Sequence, residues 1–321
     1  MPVTEFELIK RYFKRQVTRR KDVVVGIGDD AAVLKVAFDR ELVVTTDTLI
    51  SGVHFPEDLT PQDIGYRCLA VSLSDIAAMG AEPMWATLAL SMPDADEAWL
   101  GAFSEAFFKL ADEFSLQLVG GDLTRGPLVI TVHVHASVPV GAALTRRGAR
   151  PDDLIYVTGT IGDAAAALQQ SRTCDLVTIP VARELAVRLA RPSPRVVEGI
   201  SLRGVASSAI DISDGLMADL GHVLAASGVG GRVQIPLLPL SRAVRTISDP
   251  QLRWRLALTG GDDYELCFTA PSHHRTKVEA LFAGSQCGAT YIGTIDVEPG
   301  LRCLTADGKQ FDPDSLGYQH F

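Results

Sequence analysis

The chain has 321 residues, enough for two domains that each bury a core, and its 47% hydrophobic and 21% charged content excludes a disordered or fibrous protein. A net charge of −9 and an isoelectric point near 5.3 argue against nucleic acid or an anionic membrane as the main partner, although metal ions can still bring an anionic substrate to an acidic protein. Five cysteines without a CxxC pair read as reduced thiols, which points to the cytoplasm.

Thr4 and Glu7 form a capping box ahead of Phe6, Leu8, Ile9, Tyr12 and Phe13, predicting an N-terminal helix. The first 21 residues alternate charged and apolar types, unlike a signal peptide or an anchor. Val23-Val24-Val25 reads as a strand running into the glycine turn Gly26-Ile27-Gly28-Asp29-Asp30. A second strand, residues 42–46, is expected to deliver Asp47 at its end. Thr60 and Pro61 suit the N-cap and first position of a helix. Ser74-Asp75 reads as a turn before a short helix. Residues 87–92 suit a strand, and Asp94 or Asp96 suits the cap of an amphipathic helix carrying Trp99, Phe103, Phe107, Leu110 and Phe114.

Residues 117–119 should form a short strand leading into the turn Gly120-Gly121-Asp122. Residues 128–137 alternate cleanly as a strand. His133 and His135 share one face, which could suit zinc, but no third ligand lies near; a polar face or subunit contact is favoured. The periodicity breaks over residues 140–152, a fitting boundary between domains. Beyond it come a strand at 154–158, a helix at 164–170, a rigid link at 191–195, a strand at 209–214 and a helix at 215–227. Gly260-Gly261-Asp262-Asp263-Tyr264 precedes a strand at 265–269, and Asp307-Gly308 marks a hairpin near the C-terminus. Asp75 precedes Asp122 by 47 residues and Asp214 precedes Asp262 by 48, a faint echo compatible with two similarly built halves.

Aspartates beside Gly, Ser or Thr at strand ends therefore recur along the chain. No P-loop or protein-kinase signature is present. Gly26-Ile27-Gly28-Asp29-Asp30-Ala31 fits G-x-G-x-x-A, but its carboxylates would repel a pyrophosphate. A divalent metal explains more, because magnesium combines carboxylate oxygens with substrate phosphates and water. Asp30, Asp47, Asp75, Asp122, Asp211 and Asp214 could converge on several magnesium ions, with Asp29 shaping the first turn. Arg125 and Arg146 are candidates to hold phosphate directly.

Together, Gly26-Ile27-Gly28-Asp29-Asp30, Thr46-Asp47-Thr48-Leu49, His54-Phe55, Ser74 to Gly80, Gly120 to Gly126, Asp211-Ile212-Ser213-Asp214-Gly215-Leu216 and the 260–266 segment resemble the thiamine-monophosphate kinase family of the aminoimidazole-ribonucleotide-synthetase superfamily. The resemblance implies an α/β (α+β) two-domain fold: an N-terminal sheet domain over residues 1–145 that binds magnesium and ATP and dimerises, and a C-terminal α/β domain over 146–321 that closes over ATP and thiamine phosphate. It implies a cytoplasmic homodimer that uses ATP and magnesium ions to phosphorylate thiamine monophosphate. Asp47, Asp122 and Asp211 would be catalytic. Asp30, Thr45, Thr46, Asp47, Asp75, Asp122, Asp211 and Asp214 would serve the metals, some through backbone oxygens or water. Gly121, Asp122, Arg146 and Ser213 would contact ATP, and His54, Asp262 and Tyr318 the thiamine substrate. The family pattern carries Glu where this chain has Asp262. A sister enzyme acting on an aminoimidazole precursor or selenide, and a non-catalytic nucleotide or thiamine-phosphate sensor, are the alternatives.

Overall fold

The computed structural model describes residues 4–14, 16, 19–285, 287–313 and 317–318. It divides into two units, Met1–Ile76 with Ala81–Gly141, and Ala77–Gly80 with Ala142–Phe321. The first unit contains α1 (Glu5–Leu8), β1 (Val23–Val25), β2 (Val33–Leu34), β3 (Arg40–Ile50), α2 (Pro61–Ala78), β4 (Glu82–Met92), α3 (Glu97–Glu113), β5 (Gln117–Arg125) and β6 (Val129–Pro139).

Its four-stranded sheet has the order β3-β6-β4-β5. β3 pairs antiparallel with β6 from Arg40 opposite Pro139 to Ile50 opposite Val129, and β4 runs parallel to β5. Alternation along β6 buries Ile130, Val132, Val134 and Ala136, while Val129, Thr131, His133 and His135 face the less covered side. On that same side Leu42, Val44 and Ile50 of the edge strand β3 are exposed. The expected capping box is formed: Glu7 N–H donates to Thr4 Oγ1 and Thr4 N–H to Glu7 Oε2. Asp96, rather than Asp94, caps α3 by accepting from the N–H groups of Ala98 and Trp99.

Three local expectations are corrected. β3 does not stop before Asp47 but continues to Ile50, because β6 offers partners over its whole length. Ser74-Asp75 is not a turn; α2 runs through it, since Leu73, Ile76 and Ala77 keep the buried helical face. Gly120-Gly121-Asp122 is not a turn either. It is strand β5, whose register against β4 slips by one residue just before it, at Val119.

The second unit contains β7 (Leu154–Thr158), α4 (Asp163–Thr173), α5 (Ile179–Ala190), α6 (Val196–Ser201), β8 (Ser208–Asp211), α7 (Leu216–Ser227), β9 (Gly230–Gln234), α8 (Arg242–Arg245), α9 (Pro250–Thr259), β10 (Leu266–Ala270), α10 (Arg275–Phe282), β11 (Ala289–Asp296) and β12 (Gly300–Leu304). Its sheet has the order β12-β9-β11-β7-β10-β8, antiparallel except where β12 meets β9. Ile155, Val157, Ile210, Leu220 and Val233 belong to one buried cluster; Ala164, Leu185, Val244 and Leu256 belong to another among the helices. The mixed α/β architecture agrees with the sequence reading.

Candidate active site

In the first unit the acids are presented from two directions. On the inner side of β3, Asp47 stands with Thr45, and Thr45 Oγ1 donates a very short hydrogen bond to Asp75 Oδ2 on α2. Asp47 Oδ2 is buried with no hydrogen-bond partner. Burial, then the charge of Asp75, pushes the Asp47 carboxyl up to about 6; Ser72 lowers it somewhat, although its hydroxyl does not reach hydrogen-bonding geometry. Two repelling carboxylates with an orphaned oxygen are a donor set suited to a hard divalent cation. Thr46 points to the opposite face, where its hydroxyl is hydrogen-bonded to His133 Nδ1 at 2.7 Å, so its side chain does not stand beside Asp47.

A cavity of about 770 Å³ brings Asp29, Asp30, Gly120, Gly121 and Asp122 into one lining, with Phe13 and Leu118 among its apolar walls. Asp29 shapes its turn, accepting the Asp30 N–H at 2.9 Å, and leaves Asp30 exposed. Gly121 has φ of +151°, and a Cβ there would lie 1.9 Å from the Leu88 carbonyl oxygen, so only glycine fits at this position, two residues beyond the slip. His54 sits in the tight loop after β3. Its Nδ1 accepts the Ile50 N–H at 3.0 Å, which places the proton of the neutral ring on Nε2.

In the second unit the remaining residues gather around residues 211–215. Asp211 is buried at the end of β8 opposite Leu266. Ser213 and Asp214 follow, half-buried, and the Ser213 carbonyl accepts the Asp262 N–H at 2.9 Å. The Asp214 carbonyl accepts the Tyr318 N–H at 3.0 Å. Asp262 has φ of +69°, a conformation aspartate adopts more readily than most residues, and its Oδ1 accepts from the Tyr264 hydroxyl. Arg146 is exposed on a loop tied down by Ser227, whose hydroxyl donates to the Arg146 carbonyl. Ser213, Asp214, Asp262 and Tyr318 are thus brought together. Arg125 instead turns to the Pro93 carbonyl and Asp94. Among the described residues, no three His, Cys, Asp or Glu side chains gather as a metal-holding group, and His133 and His135 find no third ligand there.

Residues 28–138 match the AIR synthase related protein N-terminal domain, and residues 150–304 match its C-terminal domain. Thiamine-monophosphate kinase of Escherichia coli (strain K12) is 49% identical over 325 residues, spanning 100% of this chain and 99% of that protein. The chain belongs to the thiamine-monophosphate kinase family. The crystal structure of thiamine-monophosphate kinase from Stenotrophomonas maltophilia K279a shares 45% identity at a TM-score of 0.89, covering 97% of this chain and 99% of that one. AaThiL complexed with AMPPCP and TMP shares 29% identity at a TM-score of 0.78, covering 99% of this chain and 97% of that one.

Several side chains around these motifs of the family escaped the sequence reading. Asp219, on the first turn of α7, is buried, and its Oδ2 accepts the N–H groups of Ser213, Asp214 and Gly215 at 3.0, 3.0 and 3.1 Å. Burial pushes its carboxyl up to about 6 against those hydrogen bonds. Asp263 is buried and accepts the Gly162 N–H at 2.8 Å; burial raises its pKa well above the usual carboxylate range. Glu265 is fully buried between Arg188, at 2.9 Å, and Arg195, at 2.6 Å. Asp262 and Asp263 are neighbours in sequence with opposite fates, one half-open and one sealed. The one available signal for Asp219 was an acid on the otherwise apolar first turns of a helix.

Proposed function

We propose that the protein phosphorylates thiamine monophosphate with ATP to give thiamine diphosphate, by direct in-line transfer. The Asp47–Asp75 pair, with its buried unpartnered oxygen, carries this reading on a chain that aligns over its full length with thiamine-monophosphate kinase of Escherichia coli. The acceptor is itself a phosphate whose second pKa is about 6, so it arrives ionised and needs no general base and no covalent enzyme nucleophile. What the site must overcome is repulsion between two anions.

Asp30, Asp47, Asp75 and Asp122, with oxygens of Thr45 and Thr46, would hold magnesium in the first unit, and Asp211 and Asp214 in the second. When bound, magnesium neutralises the converging phosphates and the charge of the transition state. Gly121 lets phosphate approach the backbone beside Asp122, and Arg146 and Ser213 would complete the ATP contacts. His54, whose Nδ1 accepts the Ile50 N–H, would contact the thiamine substrate through Nε2. The Tyr318 ring, 48% exposed, and the Asp262 carboxylate suit a cationic thiazolium. Exposed Leu42, Val44 and Ile50 on the edge strand β3 support dimerisation through this sheet, and the free thiols support a cytoplasmic setting.

The deciding experiment incubates the purified chain with ATP, magnesium and thiamine monophosphate. Thiamine diphosphate should form, with release of ADP that requires both the thiamine substrate and magnesium. Binding of both substrates without product would leave a sensor; ADP release driven by an aminoimidazole precursor or selenide instead would point to a sister enzyme.

A further inference from the structure

Within the second unit one short turn is a hub of backbone hydrogen bonds. Three consecutive N–H groups, of Ser213, Asp214 and Gly215, converge inward on the single oxygen Asp219 Oδ2. Three consecutive carbonyls, of Ile212, Ser213 and Asp214, face the other way and accept the N–H groups of Tyr264, Asp262 and Tyr318 at 2.9, 2.9 and 3.0 Å. Both receiving arms press so close that side chains are forbidden: a Cβ on Gly261 would lie 2.4 Å from the Ser213 carbonyl oxygen, and one on Gly317 would lie 2.7 Å from that of Asp214. Each N–H lies in one rigid trans peptide plane with the carbonyl of the preceding residue and points opposite to it, so the direction of the N–H fixes that of the carbonyl. A carboxylate that holds three successive N–H groups therefore sets where the three carbonyls point.

We propose that Asp219 is a positioning residue that couples the nucleotide-facing Ser213–Asp214 turn to Asp262 and Tyr318, so that one buried carboxylate sets the geometry for both substrates. The inference rests on the kinase reading above and deepens it. Asp219 touches neither substrate. It acts by holding the turn from behind, with its charge satisfied by three donors and its side chain only 3% exposed. A merely structural acid would support the fold without linking the two substrate contacts.

The test compares Asp219→Asn with Gly317→Ala in the full chain, measuring KM for ATP, KM for thiamine monophosphate, kcat and the thermal midpoint. Asp219→Asn, which replaces the charged acceptor, should raise both KM values by about tenfold or more and lower kcat while the protein stays folded at the assay temperature. Gly317→Ala, whose Cβ would lie 2.7 Å from both the Asp214 carbonyl oxygen and the Ala218 Cβ, presses on the same turn from its other side and should also raise both KM values. The coupling is overturned if Asp219→Asn changes activity only in proportion to folded protein, or moves one KM without the other. If Asp219→Asn does not fold, Gly317→Ala still decides: a rise in one KM value without the other, or in neither, contradicts the coupling. Wild-type turnover is the control, since its absence removes the kinase reading itself, whereas normal turnover with an unaltered Asp219→Asn removes only the coupling.

Discussion

Asp47 shows how a single side chain can be unfavourable for the fold and useful for the chemistry. Its carboxylate is desolvated next to Asp75 and one oxygen has no donor, so the metal-free protein holds it at a cost. Asp47→Asn should therefore raise the thermal midpoint of magnesium-free protein while lowering turnover by about 100-fold or more, the range seen when preorganised electrostatics are removed. Near-normal turnover would contradict a metal role. Asp263 gives the pH counterpart. Its folded-state pKa lies above the unfolded value, so as pH rises past the ordinary carboxylate range the unfolded chain releases a proton that the native chain still binds, and stability falls toward the folded pKa. The midpoint of Asp263→Asn relative to wild type should climb as pH rises from about 4; a constant difference above that pH would mean the buried acid does not titrate as its surroundings dictate. Asp47 was legible in the sequence because it sits in a polar run. Asp263 and Glu265 were not, because Gly162, Arg188 and Arg195, which decide their roles, lie far away in the chain.

Among the elements, the acid-bearing segments were easy to find and harder to shape. The sequence reading saw Gly120-Gly121 as a turn because paired glycines usually interrupt a strand. β5 instead runs straight through them, since β4 supplies ladder partners on both sides of the slipped register. The same reasoning shortened β3: Thr45, Asp47 and the other polar residues looked like a strand end until the full-length pairing with β6 was seen. Tertiary pairing overrode local preference in both cases. Gly121→Ala is the sharp test at this scale. Its Cβ would meet the Leu88 carbonyl, so the strand must yield, at a cost of about 1–3 kcal/mol by analogy with other strained backbone sites, with a rise in KM for ATP. A variant with unchanged melting and unchanged KM would show that the slipped register plays no part in presenting Asp122.

For the whole molecule, the two-domain α/β class was readable from the order of motifs, whereas the sheet orders were not, because the pairings join strands remote in sequence. An exposed edge strand with Leu42 and Val44 outward is a liability that a partner would remove. For the dimer proposed through this sheet, Val44→Lys should leave a monomer in sedimentation experiments, and a variant that sediments like wild type would contradict a contact at this strand. The way α7 begins has one more consequence. A helix N-terminus is ordinarily an inviting seat for a bare oxyanion, because its free amides point outward. Here the amides leading into the helix are already taken by Asp219, which meets any newcomer with a negative charge. A bare oxyanion therefore cannot use those three amides and would meet the Asp219 charge behind them. On the proposed reaction, a phosphate reaching this turn would need a countercharge of its own, which a magnesium-chelated nucleotide would bring with it.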